Sequence, residues 1–200
     1  MSSREITVVL YSSAIAFCAS LDVVSRGDQK TPGTFFEYLC APLLTACLGV
    51  SPQRSLQVLN LDLETKLPTD FIFDLGANRP KFHVPVKTST RERIVQVFAH
   101  QRMLDGVYGI GRFLGLPMVL TETKTSSVGG EVVEICLPDQ IMLYHLHVAQ
   151  FWKLVYFDVP NAYRCLAASF PPVPVIEVGE FFHPAGPLAE LLLETSQRSG

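Results

Sequence analysis

The chain has 200 residues, of which 48% are hydrophobic and 18% are charged, and its formal net charge is -3. This length and composition fit one globular domain, residues 1–200, that buries most of its apolar surface. The slightly acidic balance excludes a surface that is basic throughout, so any contact with nucleic acid must be local.

Cysteine usage limits the kind of site and the compartment. The five cysteines are odd in number, lie within apolar segments and form no C-x-x-C pair: Cys18, Cys40, Cys47, Cys136 and Cys165. This pattern argues against a zinc knuckle or a disulfide framework and favours a reducing, cytoplasmic environment.

The chain opens with two predicted helices. The apolar run over residues 4–24 predicts a buried helix, and a signal or membrane segment is the alternative, since a bilayer span needs about 20 apolar residues. A polar, turn-rich break follows over residues 25–33. Apolar spacing from residue 34 onward then predicts a second helix with a kink at Pro42.

Three strands and a helix are predicted next. Residues 55–64, 67–76 and 81–89 are apolar or alternating runs bounded by turn residues, which predicts a three-stranded meander. Ser89 and Glu92 are spaced as a capping box, so we expect a helix to start there. Five residues follow at helical spacing: Ile94, Val97, Phe98, Gln101 and Leu104.

The remaining segments complete a mixed sheet flanked by helices. Strands are predicted at 115–124, 132–138 and 153–160, and Pro138 opens a predicted helix that runs to Trp152. The order of the elements indicates an α/β (α+β) fold with its core over about 34–160. A proline-rich C-terminal extension over 165–200 ends in a short predicted helix.

The second and third strands carry charged residues in a pattern that suggests chemistry. Pairing them about a central turn predicts that Asp70 faces Lys87, and that Asp74 faces His83 on the same side of the sheet. A carboxylate, an ammonium group and a helix start would then meet. Such a site suits a Mg²⁺-dependent phosphodiesterase, because aspartate is a hard oxygen ligand, lysine orients water or steadies phosphate charge, and free N–H groups bind phosphate. A solvated cross-strand ion pair is the alternative.

The stretch TDFIFDLGANRPKFHVPVKTSTRERIVQV, residues 69–97, resembles the core of type II restriction endonucleases with the PD-(D/E)XK nuclease fold. It is most similar to the subgroup that reads sites containing CC and GG. In that subgroup a basic–acidic–arginine triplet follows the catalytic lysine by four residues, at the start of a helix. Here the lysine is Lys87 and the triplet is Arg91-Glu92-Arg93. The resemblance implies Mg²⁺-dependent, sequence-specific cleavage of double-stranded DNA by a homodimer. We expect no association with a membrane.

The resemblance also assigns roles to residues. It implies that Asp70 and Lys87 are catalytic, that Asp70 binds the metal, and that the triplet with Gln96 contacts DNA. Arginine matches guanine O6 and N7, and glutamate accepts from cytosine N4, so a triplet at a helix start would read adjacent C·G pairs. The alternative is a capping box with ordinary exposed arginines.

The sequence departs from the family pattern at the second carboxylate. The position two residues before the lysine, where the family has an acid, is Pro85. The position thirteen residues after the lysine, where the subgroup places that acid instead, is His100. Three acids are candidates for the missing metal ligand or catalytic carboxylate: Asp74, Glu37 and Glu122.

A rival centre and two other functions also fit the sequence. Asp105 with Glu122 and Lys124 matches the formal D…E-x-K pattern if residues 105–124 form a hairpin, but no charged helix start follows Lys124. A structure-specific or repair nuclease of the same fold would place the triplet on phosphate. A non-enzymatic interaction module is the third possibility.

Overall fold

The computed structural model of the chain describes residues 1–24, 31–58, 65–77, 79–90, 93–125, 130–169 and 172–197. Its helices are α1 (Ser3–Val24), α2 (Thr31–Leu48), α3 (Ile94–Tyr108), α4 (Pro138–His147), α5 (Asn161–Arg164), α6 (Val178–Phe181) and α7 (Pro187–Gln197). Its strands are β1 (Gln53–Gln57), β2 (Lys66–Asp74), β3 (Lys81–Val84), β4 (Val86–Lys87), β5 (Phe113–Gly115), β6 (Met118–Val119), β7 (Thr123–Thr125), β8 (Val132–Glu134), β9 (Leu154–Tyr156) and β10 (Val175–Glu177).

Helix α1 confirms the predicted N-terminal helix, but it lies largely at the surface. A capping box opens it, because Ser2 N–H donates to the Glu5 carboxylate (2.7 Å) and Glu5 N–H donates to the Ser2 hydroxyl (3.3 Å). The helix contacts α2 and α6, and Ala14 is fully buried there. The expectation of a buried helix is therefore wrong for most of its length, since only one side packs. In the described ranges, no helix has the length and apolar character needed to cross a membrane.

The central strands form a mixed ladder that continues past Pro85. β1, β2 and β3 pair antiparallel and β5 joins β3 in parallel, while β4, β6, β9 and β10 pair in parallel. Pro85 separates β3 from β4 because it has no N–H to donate. Backbone hydrogen bonds nevertheless run on, from Leu116 N–H to the His83 carbonyl and from Met118 N–H to the Pro85 carbonyl, both at 2.8 Å. The predicted mixed sheet flanked by helices is confirmed.

Several predicted boundaries are wrong. The single strand expected at 115–124 is interrupted at Pro117 and is divided between β5, β6 and β7. Helix α4 ends at His147 rather than Trp152, and the predicted strand 55–64 is β1, with residues 59–64 outside the described ranges. Strand β10 and helix α6 fall in the extension where the sequence predicted neither. Proline residues and pairing with distant strands set the ends of these elements, and the spacing of apolar residues along the sequence contains no information about either.

The two faces of the sheet are covered by different helices. One core includes side chains of α1, α2, α6 and α7 with Phe71 and Phe73 of β2. On the opposite face, Ile72 packs with Leu104 of α3. Because side chains alternate along a strand, Asp70 and Asp74 share the α3 face with Ile72. The charged residues of β2 are therefore directed toward the side where α3 runs.

Candidate active site

The β2–β3 hairpin is shifted by two residues from the predicted register. Ile72 pairs with His83 and Asp74 pairs with Lys81, so Asp74 does not face His83. The turn begins early because Gly76 adopts a left-handed φ of 103° and donates its N–H to Asp74 Oδ1 at 3.0 Å. A shift of two residues preserves which face each side chain occupies.

Asp70 and Lys87 meet, as the sequence predicted, but not as directly opposed residues of the hairpin, because Lys87 lies in β4, which pairs with β6. Lys87 Nζ lies 2.5 Å from Asp70 Oδ2, and the backbone N–H of Val86 donates to the same oxygen at 2.8 Å. The two side chains are 24% and 23% exposed, so the pair is partly shielded but open to a ligand. Lys87 lies three residues beyond Val84, the last residue of β3, and Pro85 separates the two strands.

The pair lies in the wall of a cavity of about 210 Å³ between the hairpin and α3. The cavity is lined by Pro68, Thr69, Asp70, His83, Pro85, Lys87, Gln96, Val97 and His100. Helix α3 supplies Gln96, Val97 and His100 from its first two turns. Gln96, predicted to contact DNA, therefore lies beside the predicted catalytic pair.

Two histidines belong to this site and were not assigned a role from the sequence. His83 is fully buried, and its Nδ1 lies 3.0 Å from Gln101 Oε1. Burial lowers the pKa of His83 to about 4. Burial and the Lys87 charge also lower the pKa of His100. The sequence contained an indication that each histidine lies at the site. His83 shares a strand face with Asp70, and His100 is the residue thirteen positions after Lys87.

Glu122 is buried away from this cavity and fixes the segment before α3. Its Oε1 accepts hydrogen bonds from Thr90 N–H (2.8 Å), from the Thr90 hydroxyl and from the Tyr156 hydroxyl (3.0 Å). Burial, with the neighbouring Glu122 carboxylate, raises the pKa of Tyr156 and keeps its hydroxyl protonated as a donor. Glu122 thus ties the chain just before the predicted DNA-reading triplet to the end of the parallel sheet.

Helix α3 starts later than the capping box predicted. Its first helical residue is Ile94, and Arg93 occupies the N-cap position without a side-chain capping bond. Ser89 is therefore not the N-cap, because Glu122 holds the adjoining Thr90 in a non-helical segment. Arg93 is exposed, whereas Arg91 and Glu92 lie outside the described residues. The predicted inward spacing of α3 is confirmed, since all five of its predicted inward residues are buried.

The other two candidate acids have partners elsewhere. Asp74 contacts Lys81 Nζ at 2.5 Å, a hydrogen bond that lowers the pKa of Asp74. It lines a second cavity, together with Arg79 and Arg112. Glu37 contacts Arg54 at 3.0 Å on the surface. Neither acid lines the cavity that holds Asp70 and Lys87, so the structure brings one predicted carboxylate to that cavity.

The rival centre lacks the hairpin on which it depended. Asp105 lies in α3, where Gln101 Nε2 donates to its carboxylate at 3.0 Å. Glu122 has the separate partners described above, and Lys124 lies in β7, whose backbone pairs with β8. A hairpin over residues 105–124 is therefore wrong.

The residues of the cavity fit a metal ion only with help from a substrate. Across the described ranges, no group of three or more histidine, cysteine, aspartate or glutamate side chains is placed to hold a metal ion. Mg²⁺, however, commonly binds through one or two carboxylates and completes its shell with water and substrate phosphates. Asp70 Oδ2 already accepts from Lys87 and Val86, which leaves Oδ1 as the oxygen that fits such an ion.

The fold defined by this sheet, its flanking helices and the Asp–Lys hairpin is the restriction-endonuclease fold of the PD-(D/E)XK type. Two solved structures carry the comparison. The type IIP restriction endonuclease Kpn2I superimposes with a TM-score of 0.76 at 25% sequence identity, over 98% of this chain and 65% of its own. The restriction endonuclease PspGI, solved in complex with substrate DNA, superimposes with a TM-score of 0.58 at 11% identity, over 96% of this chain and 73% of its own.

These similarities show the fold of the chain, but they do not assign the chain to a sequence family. No family model matches the sequence, and neither does any curated protein sequence. The chain spans 65% of the length of Kpn2I, slightly less than two thirds. The likeness to PspGI, at 11% identity, is one of fold alone.

Proposed function

We propose that this chain is a sequence-specific endonuclease that hydrolyses phosphodiester bonds of double-stranded DNA, of the type II restriction class. The observation that carries the proposal is the Asp70–Lys87 pair, 2.5 Å apart, beside the first turns of α3. The pair lies on a fold that the chain shares with two restriction endonucleases, which supports the proposed endonuclease function. Fold alone does not define function, so the site supplies the chemical argument.

The chain's own residues account for several requirements of phosphodiester hydrolysis. Lys87 presents a positive charge that is fixed by Asp70, so it can neutralise charge that develops on a phosphate without first having to be ordered. Val86 N–H holds the same aspartate from the backbone, which fixes the orientation of the carboxylate. The cavity wall is therefore organised before a substrate arrives.

We propose Mg²⁺ as the cofactor, with Asp70 as the residue that would hold it. A bound Mg²⁺ supplies charge stabilisation to the phosphate at which the bond breaks. The remaining ligands would come from water and from DNA, in line with the single carboxylate of the cavity. This arrangement predicts that metal affinity is low in the free protein and rises when DNA is bound.

Sequence reading is proposed for the start of α3. Arg93 is exposed at the N-cap, and Gln96 lies one turn further, on the cavity wall. With Arg91 and Glu92 they would form the surface that reads a site containing CC and GG. A two-fold homodimer is the simplest reader of a palindromic site, because each protomer contacts an identical half-site.

The test is incubation of the purified chain with plasmid and phage DNA, with and without Mg²⁺, followed by sequencing of the cut ends. Discrete fragments that require the metal and share one sequence at their ends are the expected result. Lys87→Ala is the matched control, since it removes the ammonium group and should abolish metal-dependent cleavage. Random degradation, or cutting without a common end sequence, would favour a structure-specific nuclease, and no cutting with or without Mg²⁺ would exclude the proposal.

A further inference from the structure

The hydrogen bonds of Gln101 fix the tautomer of His83. Gln101 Nε2 donates to Asp105 Oδ1 at 3.0 Å and to the Phe113 carbonyl at 2.9 Å, which uses both hydrogens of the amide. Its Oε1 can only accept, and it lies 3.0 Å from His83 Nδ1. Nδ1 must therefore carry the hydrogen, and the neutral ring has its lone pair on Nε2.

This lone pair belongs to a buried atom in the wall of the Asp70–Lys87 cavity. His83 lines the cavity, and its Nε2 is buried without a hydrogen-bond partner among the described residues. Thr69 lines the same cavity and also has a buried hydroxyl without such a partner. A buried acceptor left unpaired costs about 1–3 kcal/mol, so a hydrogen-bond donor, whether water or ligand, stabilises this site when it binds there.

The surrounding groups indicate what that donor is. Lys87 and His100 face the same cavity, and the ring centroids of His83 and His100 lie 6.4 Å apart. Asp70 Oδ2 is occupied by Lys87 and Val86, so it is already satisfied as an acceptor. A cavity of about 210 Å³ has room for several waters, each with a share of about 30 Å³ in the liquid. Water is a donor small enough to lie between His83 Nε2 and a phosphate held at Lys87.

We propose that His83 Nε2 accepts a hydrogen bond from the water molecule that attacks the phosphodiester, and so directs the oxygen lone pair of that water toward phosphorus. The inference rests on the proposed endonuclease function and deepens it. In the reaction the water oxygen bonds to phosphorus as one ester P–O bond breaks. The proton lost by the water goes to solvent, and the leaving oxygen takes a proton from solvent.

Two substitutions separate this role from a structural one. In His83→Asn the shorter amide can donate to Gln101 Oε1 but leaves no acceptor at the position of Nε2. In His83→Gln the longer amide places a carbonyl oxygen near the position of Nε2 but loses the bond to Gln101. A water-orienting role predicts that Asn lowers the single-turnover cleavage rate by about 100-fold with unchanged affinity for DNA, while Gln stays within about 10-fold of the wild type.

A purely structural role predicts the opposite order, since Asn retains the Gln101 contact and Gln does not. Equal cleavage by wild type and His83→Asn would overturn the inference while the endonuclease function stands. Failure of the wild type to cut any DNA would instead remove the proposed function, and this inference with it.

A spectroscopic measurement tests the tautomer without any cleavage. Nitrogen chemical shifts of the chain with ¹⁵N-labelled histidine should show one ring, absent from the His83→Asn spectrum, that is protonated at Nδ1 and unprotonated at Nε2 between pH 7.5 and pH 5. A proton on Nε2 in this range would overturn the inference whatever the kinetics show.

Discussion

Acid should destabilise this protein through His83, and the effect is large enough to isolate. Burial lowers the pKa of the folded ring to about 4, from an ordinary value of 6.5. In the unfolded chain the His83 ring therefore takes up a proton near pH 6.5, whereas in the folded chain it does so only near pH 4. The free energy of unfolding must fall as the pH falls through this window, and it levels off below it.

The magnitude follows from the two pKa values. One unit of pKa is worth about 1.4 kcal/mol, so a difference of about 2.5 units gives about 3 kcal/mol at pH 4. In a chain of 200 residues that corresponds to a fall in Tm of about 7 °C. His100 and His145 also have pKa values lowered by burial and act in the same direction.

The assay is urea denaturation of wild type and His83→Asn at intervals from pH 7.5 to pH 4. The variant retains the other histidines, so its stability should fall by about 3 kcal/mol less than that of the wild type. Equal slopes in the two proteins would show that His83 is not a buried neutral ring. A smaller fall for the wild type would reverse the sign of the argument.

Three further outcomes are expected. Lys87→Ala and Asp70→Ala should each abolish metal-dependent cleavage while DNA binding survives, because both act at the phosphate; cleavage assays and titration with labelled duplex check this, and loss of activity in Lys124→Ala alone would instead restore the rival centre. Arg93→Ala should cost about 1–3 kcal/mol of discrimination at one base pair and weaken cognate binding far more than random binding. A uniform loss on both duplexes, with the salt slope reduced by about one unit, would assign Arg93 to phosphate. Glu122→Ala should lower stability by about 3 kcal/mol or more, since three buried donors lose their acceptor, whereas Glu122→Gln retains a carbonyl oxygen and should lose less; a negligible loss in urea denaturation of the alanine variant would contradict this.

The sequence by itself determined the features that depend on near neighbours. The inward residues of α3 follow from the 3.6-residue period of a helix, and all five were predicted. The shared face of Asp70 and His83 follows from the two-residue period of a strand, which survives a shift of register by two. The break at Pro85, which divides the single strand predicted over residues 81–89, also has a local cause, because proline cannot donate to a ladder wherever it occurs.

Only the tertiary structure decided which polar groups meet. Glu122 and Thr90 are far apart in sequence, as are His83 and Gln101, and nothing local distinguishes these pairs from other combinations of the same residue types. Their partners are set by the packing of α3 against the sheet, since a buried polar group must find its hydrogen bonds among whatever the fold brings to it. For this reason the sequence identified the Asp70–Lys87 pair, and the fold supplied the histidine that lies beside it.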